Sequence, residues 1–224
     1  MRRDHTLEEI HIPVGDVALI GDLGTPLDPA GIVVFAHGSG SSRLSVRNRA
    51  VAATLREAGL STLLFDLLTS AEAEDRANVF DIELLSRRLI GATSWLHDGG
   101  RPADTPIGYF GASTGAAAAL GAAAELGGTI AAVVSRGGRP DLAEPKLGAV
   151  LAPTLLIVGG DDTFVLELNR AALRHLGCVS DLAIVPGATH LFEEPGALDE
   201  VARLTSDWFS RQFAAWRPPA GSRR

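Results

Sequence analysis

The stretch from Pro106 to Gly115, Pro-Ile-Gly-Tyr-Phe-Gly-Ala-Ser-Thr-Gly, decides the fold. Its apolar residues 107–110 predict a buried strand, and the alanine-rich run that follows predicts a helix. Between them lies Gly-x-Ser-x-Gly, with Gly111 and Gly115 on either side of Ser113. A serine on so sharp a turn takes a strained backbone, and the two glycines remove side chains that would clash. The pattern predicts that Ser113 is presented as a nucleophile; the alternative is a glycine-rich turn that happens to contain serine.

The composition bounds the class of protein. A chain of 224 residues, 46% of them hydrophobic, is long enough for one well-packed α/β domain, which we place at 1–216, with a flexible tail at 217–224. The net charge of −7 argues against a nucleic-acid partner. Cys178 is the only cysteine, which excludes an internal disulfide and a cysteine-rich metal site. The sequence shows neither a signal-peptide core nor an apolar run of membrane-spanning length, so we expect a cytoplasmic protein with no membrane partner.

The order of apolar segments predicts the topology. Residues 9–13 and 17–23 alternate between apolar and polar side chains, which indicates an antiparallel hairpin. Continuous apolar runs of the kind that buried parallel strands need lie at 31–36, 61–67, 107–110, 129–134, 154–158 and 181–185. Helical segments alternate with these runs, so we predict a doubly wound, mostly parallel, eight-stranded α/β sheet without a cap domain. The polar, acidic segment 69–78 is predicted to be an exposed loop.

Polar residues follow the predicted strands at their carboxyl ends. In open α/β sheets, ligands bind outside these ends, so the residues there are candidates for one site. They are His37, Asp66, Ser113, Arg136, Asp162 and His190.

The glycine-rich loop His37-Gly38-Ser39-Gly40 follows the first predicted parallel strand. It lacks the third glycine of a dinucleotide fingerprint, and no lysine follows as in a P-loop, so a nucleotide site is disfavoured. The competing interpretation is an oxyanion loop. The backbone N–H of Ser39 would then face the N–H of Thr114 across a developing anion.

A serine hydroxyl needs a base to take its proton, and the base needs an acid to fix its tautomer. The chain order Ser113, aspartate, His190 matches that of the α/β-hydrolases, which this chain resembles over nearly its whole length. It looks most like the small, cap-less, dienelactone-hydrolase-like branch. The resemblance rests on His37-Gly38, Gly111-Ala112-Ser113-Thr114-Gly115, Gly159-Gly160-Asp161-Asp162 and Gly187-Ala188-Thr189-His190. Dienelactone hydrolases use a cysteine where this chain has Ser113, which leaves the substrate open but keeps the reaction class.

The resemblance implies an α/β-hydrolase fold and a serine hydrolase that cleaves a small soluble ester or lactone, with no cofactor and no metal. Family spacing selects Asp162 over Asp161 as the acid, with Asp141 as the third choice. A thioesterase or an acyltransferase would use the same residues. A non-catalytic binding protein on a hydrolase scaffold, or an accessory subunit of another enzyme, is the alternative from a different class.

Four further residues are candidates for substrate binding. Arg43 or Arg136 would hold the carboxylate of an anionic substrate through a planar guanidinium fork, as the dienelactone-type enzymes hold an acidic lactone. The alternative is that Arg136 pairs with Asp141 or Asp66. Asp66 either bonds its own loop or contacts substrate, and His37 either orders the loop or lines the site. The oligomeric state has no signal in the sequence.

Overall fold

A computed structural model describes residues 5–99 and 104–219 of the chain. Residues 220–224 of the predicted tail lie outside the described residues. Eight strands form one sheet in the order β1-β2-β4-β3-β5-β6-β7-β8. The strands are β1 (His5–Val14), β2 (Val17–Pro26), β3 (Ile32–Ala36), β4 (Ser61–Phe65), β5 (Ile107–Ala112), β6 (Ile130–Arg136), β7 (Thr154–Gly159) and β8 (Ser180–Val185).

β2 is antiparallel to both of its neighbours, whereas β3 to β8 run parallel to one another. The predicted doubly wound, mostly parallel, eight-stranded sheet with an antiparallel N-terminal hairpin is therefore confirmed. The α-helices are α1 (Val46–Glu57), α2 (Ser70–Ala73), α3 (Arg76–Val79), α4 (Ile82–Asp98), α5 (Thr114–Leu126), α6 (Thr163–Leu173) and α7 (Ala197–Ala215). A 3-10 segment, Pro140–Ala149, connects β6 to β7.

Strands β3 to β7 are buried along their whole length because helices cover both faces of the sheet, whereas in the edge strand β8 only Val185 is buried. On one face, strand residues such as Val34 pack with α4 and α5, and the alanine side chains of α5 let it lie close to the sheet. On the other face, residues such as Val33 pack with α1 and α7. Such burial requires the continuous apolar runs seen in the sequence. Within the described residues, no helix is both long and apolar enough to cross a membrane.

The segment 69–78 is not the loop that we predicted; it contains α2 and α3. Thr69 and Glu72 form a reciprocal capping box at the start of α2. Asp75 caps α3 by accepting a hydrogen bond from the Ala77 N–H. These helices are four residues each and depend on their caps rather than on an apolar face, which is why hydrophobic periodicity did not reveal them.

Candidate active site

Ser113 lies on a strained turn between β5 and α5. Its backbone angles are φ 52° and ψ −121°, a conformation that costs a non-glycine residue on the order of 1–3 kcal/mol. A Cβ at Gly111 would lie 2.4 Å from the Ala116 Cα, and one at Gly115 would lie 2.2 Å from the Ala36 carbonyl oxygen. Both glycines are therefore required by close backbone approach, as the sequence predicted.

Asp162 and His190 meet because the loops after β7 and β8 pack closely together. A Cβ at Gly159 would lie 2.3 Å from the Ala188 carbonyl oxygen, so only glycine permits this approach. The His190 Nδ1 lies 2.6 Å from Oδ2 of Asp162, whose side chain is 14% exposed. A carboxylate in this position orients the imidazole and leaves Nε2 able to accept a proton.

The other two aspartates considered as the acid occupy different positions. Asp161 is exposed, and Asp141 forms two hydrogen bonds, of 2.9 and 2.7 Å, with the guanidinium of Arg139. The carboxylate that contacts His190 is thus that of Asp162.

Ser113 and His190 line one cavity of about 240 Å³, which we call the serine cavity. In the described part of the chain, the Ser113 hydroxyl makes no hydrogen bond to another side chain. Catalytic hydrogen bonds are often long in the absence of substrate and tighten when it binds. The cavity therefore places the hydroxyl and the imidazole around a common space in which a carbonyl group would react.

The two residues predicted to hold an oxyanion contact each other directly. The backbone N–H of Ser39 donates a hydrogen bond of 2.8 Å to the side-chain Oγ1 of Thr114. The N–H of Ser39, which we expected to face a developing anion, is therefore engaged by the Thr114 side chain. The N–H of Thr114 lies in the first turn of α5, where backbone donors have no intrahelical partner.

His37 orders the loop after β3. Its Nε2 accepts a hydrogen bond of 3.1 Å from the Leu67 N–H, so Nδ1 carries the proton and donates to the Gly38 carbonyl oxygen, also at 3.1 Å. Burial lowers the pKa of His37 below its ordinary value of 6.5, against opposing effects from the Gly38 bond and Asp66. The ring is thus a neutral link between two loops, and its polar atoms are not directed at a substrate.

Arg43 and Asp66 are not free to bind a substrate. This corrects the expectation that Arg43 is a candidate to hold a substrate carboxylate. The Arg43 guanidinium pairs with Glu9, Asp22 and Asp66 at 2.7, 3.4 and 3.2 Å. The Arg43 N–H also donates to Asp66 Oδ1 at 2.7 Å. This network ties the loop after β3 to the N-terminal hairpin and is structural.

Arg136 is in the opposite situation. It is 7% exposed, it lines the serine cavity, and its Nε and Nη1 have no hydrogen-bond partner in the described residues. Burial, with a smaller contribution from Arg47, lowers the pKa of Arg136 to about 10. The alternative in which Arg136 pairs with Asp141 or Asp66 is wrong, because Arg139 and Arg43 hold those carboxylates.

Sequence reasoning missed the contribution of the start of α1 to this cavity. Ser45, Arg47 and Asn48 all line it, and the buried Asn48 Oδ1 is unpartnered. Arg47 forms an ion pair of 3.0 Å with the exposed Glu193. Ser45, Arg47 and Asn48 lie at the start of the helix that follows the predicted oxyanion loop, and this position could have indicated that they line the cavity.

A serine on a strained strand-to-helix turn, facing a histidine–aspartate pair across the end of a mostly parallel sheet, defines an α/β-hydrolase. The chain is 54% identical to a dienelactone hydrolase from Anabaena variabilis, with a TM-score of 0.88, over 92% of this chain and 98% of that one. It therefore belongs to the dienelactone hydrolase family. The structure is also similar to Est1E from Butyrivibrio proteoclasticus, with a TM-score of 0.78 and 17% identity over 92% of this chain and 99% of that one, which shows the fold alone.

Relatives from two strains of Mycobacterium tuberculosis are 61% identical over 202 residues and are provisionally named phosphoribosyl transferases. The match covers 90% of this chain but only 46% of each relative, so the chain spans about half their length. No protein-family model matches the chain.

Proposed function

We propose that this chain is a serine hydrolase that cleaves a small ester or lactone through Ser113, His190 and Asp162. The observation that carries the proposal is the strained Ser113 in the same cavity as an imidazole fixed by a carboxylate at 2.6 Å. Backbone strain of this kind persists where the surrounding structure enforces it, most often at functional sites.

In the proposed reaction, Ser113 Oγ attacks the substrate carbonyl carbon while Nε2 of His190 takes the hydroxyl proton. Asp162 accepts the Nδ1–H and stabilises the imidazolium that forms. The imidazolium then protonates the leaving alkoxide, which leaves an acyl group on Ser113 for water to remove. The N–H of Thr114, and that of Ser39 once it releases the Thr114 hydroxyl, would hold the oxyanion; one such donor contributes about 3 kcal/mol in comparable sites.

An anionic group on the substrate is favoured by Arg136. A buried guanidinium with unused donors is costly, and a carboxylate placed against it would satisfy both its charge and its hydrogen bonds. Arg136 lines the cavity that contains Ser113, so this contact would also orient the substrate for attack. Arg136, and not Arg43, is the residue that we assign to this role.

We assign the hydrolase activity to this chain, and not the transferase name of the mycobacterial relatives. The identity to the dienelactone hydrolase extends over 98% of that protein, whereas the chain spans only 46% of the relatives with the transferase name. A name given to a protein about twice as long is a weaker guide to this part of it.

Labelling with a fluorophosphonate tests the proposal, because the probe bonds only to an activated serine hydroxyl. We expect one covalent adduct on Ser113 by peptide mass spectrometry, and none in Ser113→Ala. Ser94→Ala, on the exposed side of α4, is the matched control and should label like the wild type. A wild-type protein that does not label would support the non-catalytic binding protein instead.

A further inference from the structure

A second cavity, of about 290 Å³, lies on the other side of the loop after β3. We call it the apolar cavity because Leu67, Leu68, Val79 and Leu85 form much of its wall. Part of that wall comes from the segment that holds α2 and α3. An apolar cavity of about 150 Å³ binds one benzene molecule, so this one has room for a larger group.

The two cavities are adjacent. Gly38, Ser39 and Ser41 line both of them, so the loop after β3 is their common wall. Only this loop therefore separates the apolar cavity from the cavity that holds Ser113.

The charged and ring side chains that border the apolar cavity have protein partners. Both ring nitrogens of His37 are bonded to backbone groups, and Asp66 is paired with Arg43. The serine cavity differs, since it is lined by Arg136, whose buried Nε and Nη1 have no partner in the described residues. An apolar group therefore fits the apolar cavity, and an anionic group fits the serine cavity.

The direction of the reaction decides which part of an ester enters which cavity. His190 must protonate the leaving alkoxide, so the alcohol part lies on the side of His190. His190 and Arg136 both line the serine cavity. The acyl part then points away from them, across the loop after β3.

We propose that the apolar cavity binds the acyl group of the substrate, and that the substrate class is an ester of an apolar acid with an anionic alcohol. The inference rests on the proposed function for the orientation of the ester. Ala73 and Ser70, at the two ends of α2, line the apolar cavity and are both exposed, so a large side chain at either position can fill it without disturbing the core.

The test compares 4-nitrophenyl acetate with 4-nitrophenyl hexanoate. Burial of the added methylenes should raise kcat/KM by roughly an order of magnitude for every two of them. Ala73→Phe should lower the hexanoate-to-acetate ratio towards one, and Ser70→Phe is a second filling variant. Ala77→Phe, on α3 and outside the cavity wall, is the matched control and should keep the wild-type ratio. A flat chain-length profile in the wild type, or equal ratios in all four proteins, would overturn the inference.

Binding to Ser113→Ala separates this inference from the catalytic proposal. Calorimetry with 2-butanone and 2-octanone reports occupancy of the cavity without any chemistry. We expect tighter binding of the longer ketone, and loss of that difference when Ala73→Phe is added. If Ser113→Ala still hydrolyses esters while the binding pattern holds, the proposed mechanism fails but the apolar cavity stands. Equal binding of both ketones would refute the cavity assignment alone.

Discussion

Arg136→Met should stabilise the protein while impairing its preference for anionic substrates. The guanidinium is buried against the start of α1, and its Nε and Nη1 are unpartnered within the described residues. Methionine keeps an apolar stem of similar length and removes the charge. Most substitutions of a buried residue destabilise a fold, so a gain in stability is a distinctive outcome.

The magnitude follows from the pKa of the side chain. Burial lowers the pKa of Arg136 to about 10, well below the ordinary value of an arginine side chain, and each pKa unit corresponds to about 1.4 kcal/mol. The charged form is thus disfavoured by on the order of 3 kcal/mol relative to the unfolded chain. Because the folded-state pKa is the lower of the two, this cost applies in full at neutral pH and is relieved only as pH rises through 10. Allowing for lost contacts, we expect the free energy of unfolding to rise by about 1–3 kcal/mol.

Urea denaturation at pH 7, followed by circular dichroism and analysed by linear extrapolation, measures this change. Arg139→Met is the control: it removes an arginine that is paired with Asp141, so its free energy of unfolding should fall by at most about 1 kcal/mol.

The substrate preference is tested by comparing kcat/KM for a carboxylate-bearing ester with kcat/KM for its methyl-capped twin. Charge-assisted hydrogen bonds contribute about 1.5–3 kcal/mol, so the wild type should prefer the carboxylate by roughly tenfold to a hundredfold, and Arg136→Met should not. A less stable Arg136→Met protein, or equal kcat/KM for the twins in the wild type, would refute the reasoning.

Four further predictions concern the proposed catalytic residues, the loop after β3 and the substrate. Asp162→Asn should lower kcat on a soluble ester by on the order of 10⁴, because the imidazole loses its fixed tautomer, whereas Asp161→Asn should be mild; the reverse order would move the acid to Asp161. The folded-state pKa of His37 lies below 6.5, so the free energy of unfolding should fall as pH drops below 6.5, and His37→Gln should reduce that slope in urea titrations at successive pH values. Thr114→Val removes the hydroxyl that accepts the Ser39 N–H in the free protein. The N–H can then bind the substrate carbonyl in the ground state as well as in the transition state, so KM should fall with little change in kcat. An unchanged KM would show that Ser39 does not contact the substrate. Short-chain soluble esters should be cleaved without any rate increase at an emulsion surface, and efficient hydrolysis of a long-chain triglyceride would contradict the limited size of the two cavities.

The sheet was predictable because parallel strands buried on both faces must be apolar along their whole length. Strand β5, which leads into the turn at Ser113, and the alanine-rich α5 were evident from the residues around Ser113. The segment 69–78 was not, since α2 and α3 are held by local caps and present few apolar residues. The capping pair Thr69 and Glu72 was the available signal for the first of them.

The site was predictable to the extent that strand ends bring residues together. Ser113, Asp162 and His190 follow three different parallel strands, so topology alone places them at one edge of the sheet. Arg43 and Arg136 also lie near that edge, but their pairing depends on distant residues. Glu9 and Asp22, in the N-terminal hairpin, engage Arg43, and no short-range pattern in the sequence indicates this contact.

The hydrogen bond between the Ser39 N–H and Thr114 Oγ1 has a consequence for the energetics of the proposed reaction. In the resting protein the donor is satisfied by a neutral hydroxyl, and a neutral substrate carbonyl offers it an acceptor of similar strength. Exchanging one for the other gains little, so the ground state is not stabilised by this group. As negative charge develops on the carbonyl oxygen, the substrate becomes the stronger acceptor and the N–H changes partner. The Ser39 N–H would thus bind the substrate oxygen only in the transition state, when that oxygen carries negative charge. Binding energy that is gained only in the transition state accelerates a reaction.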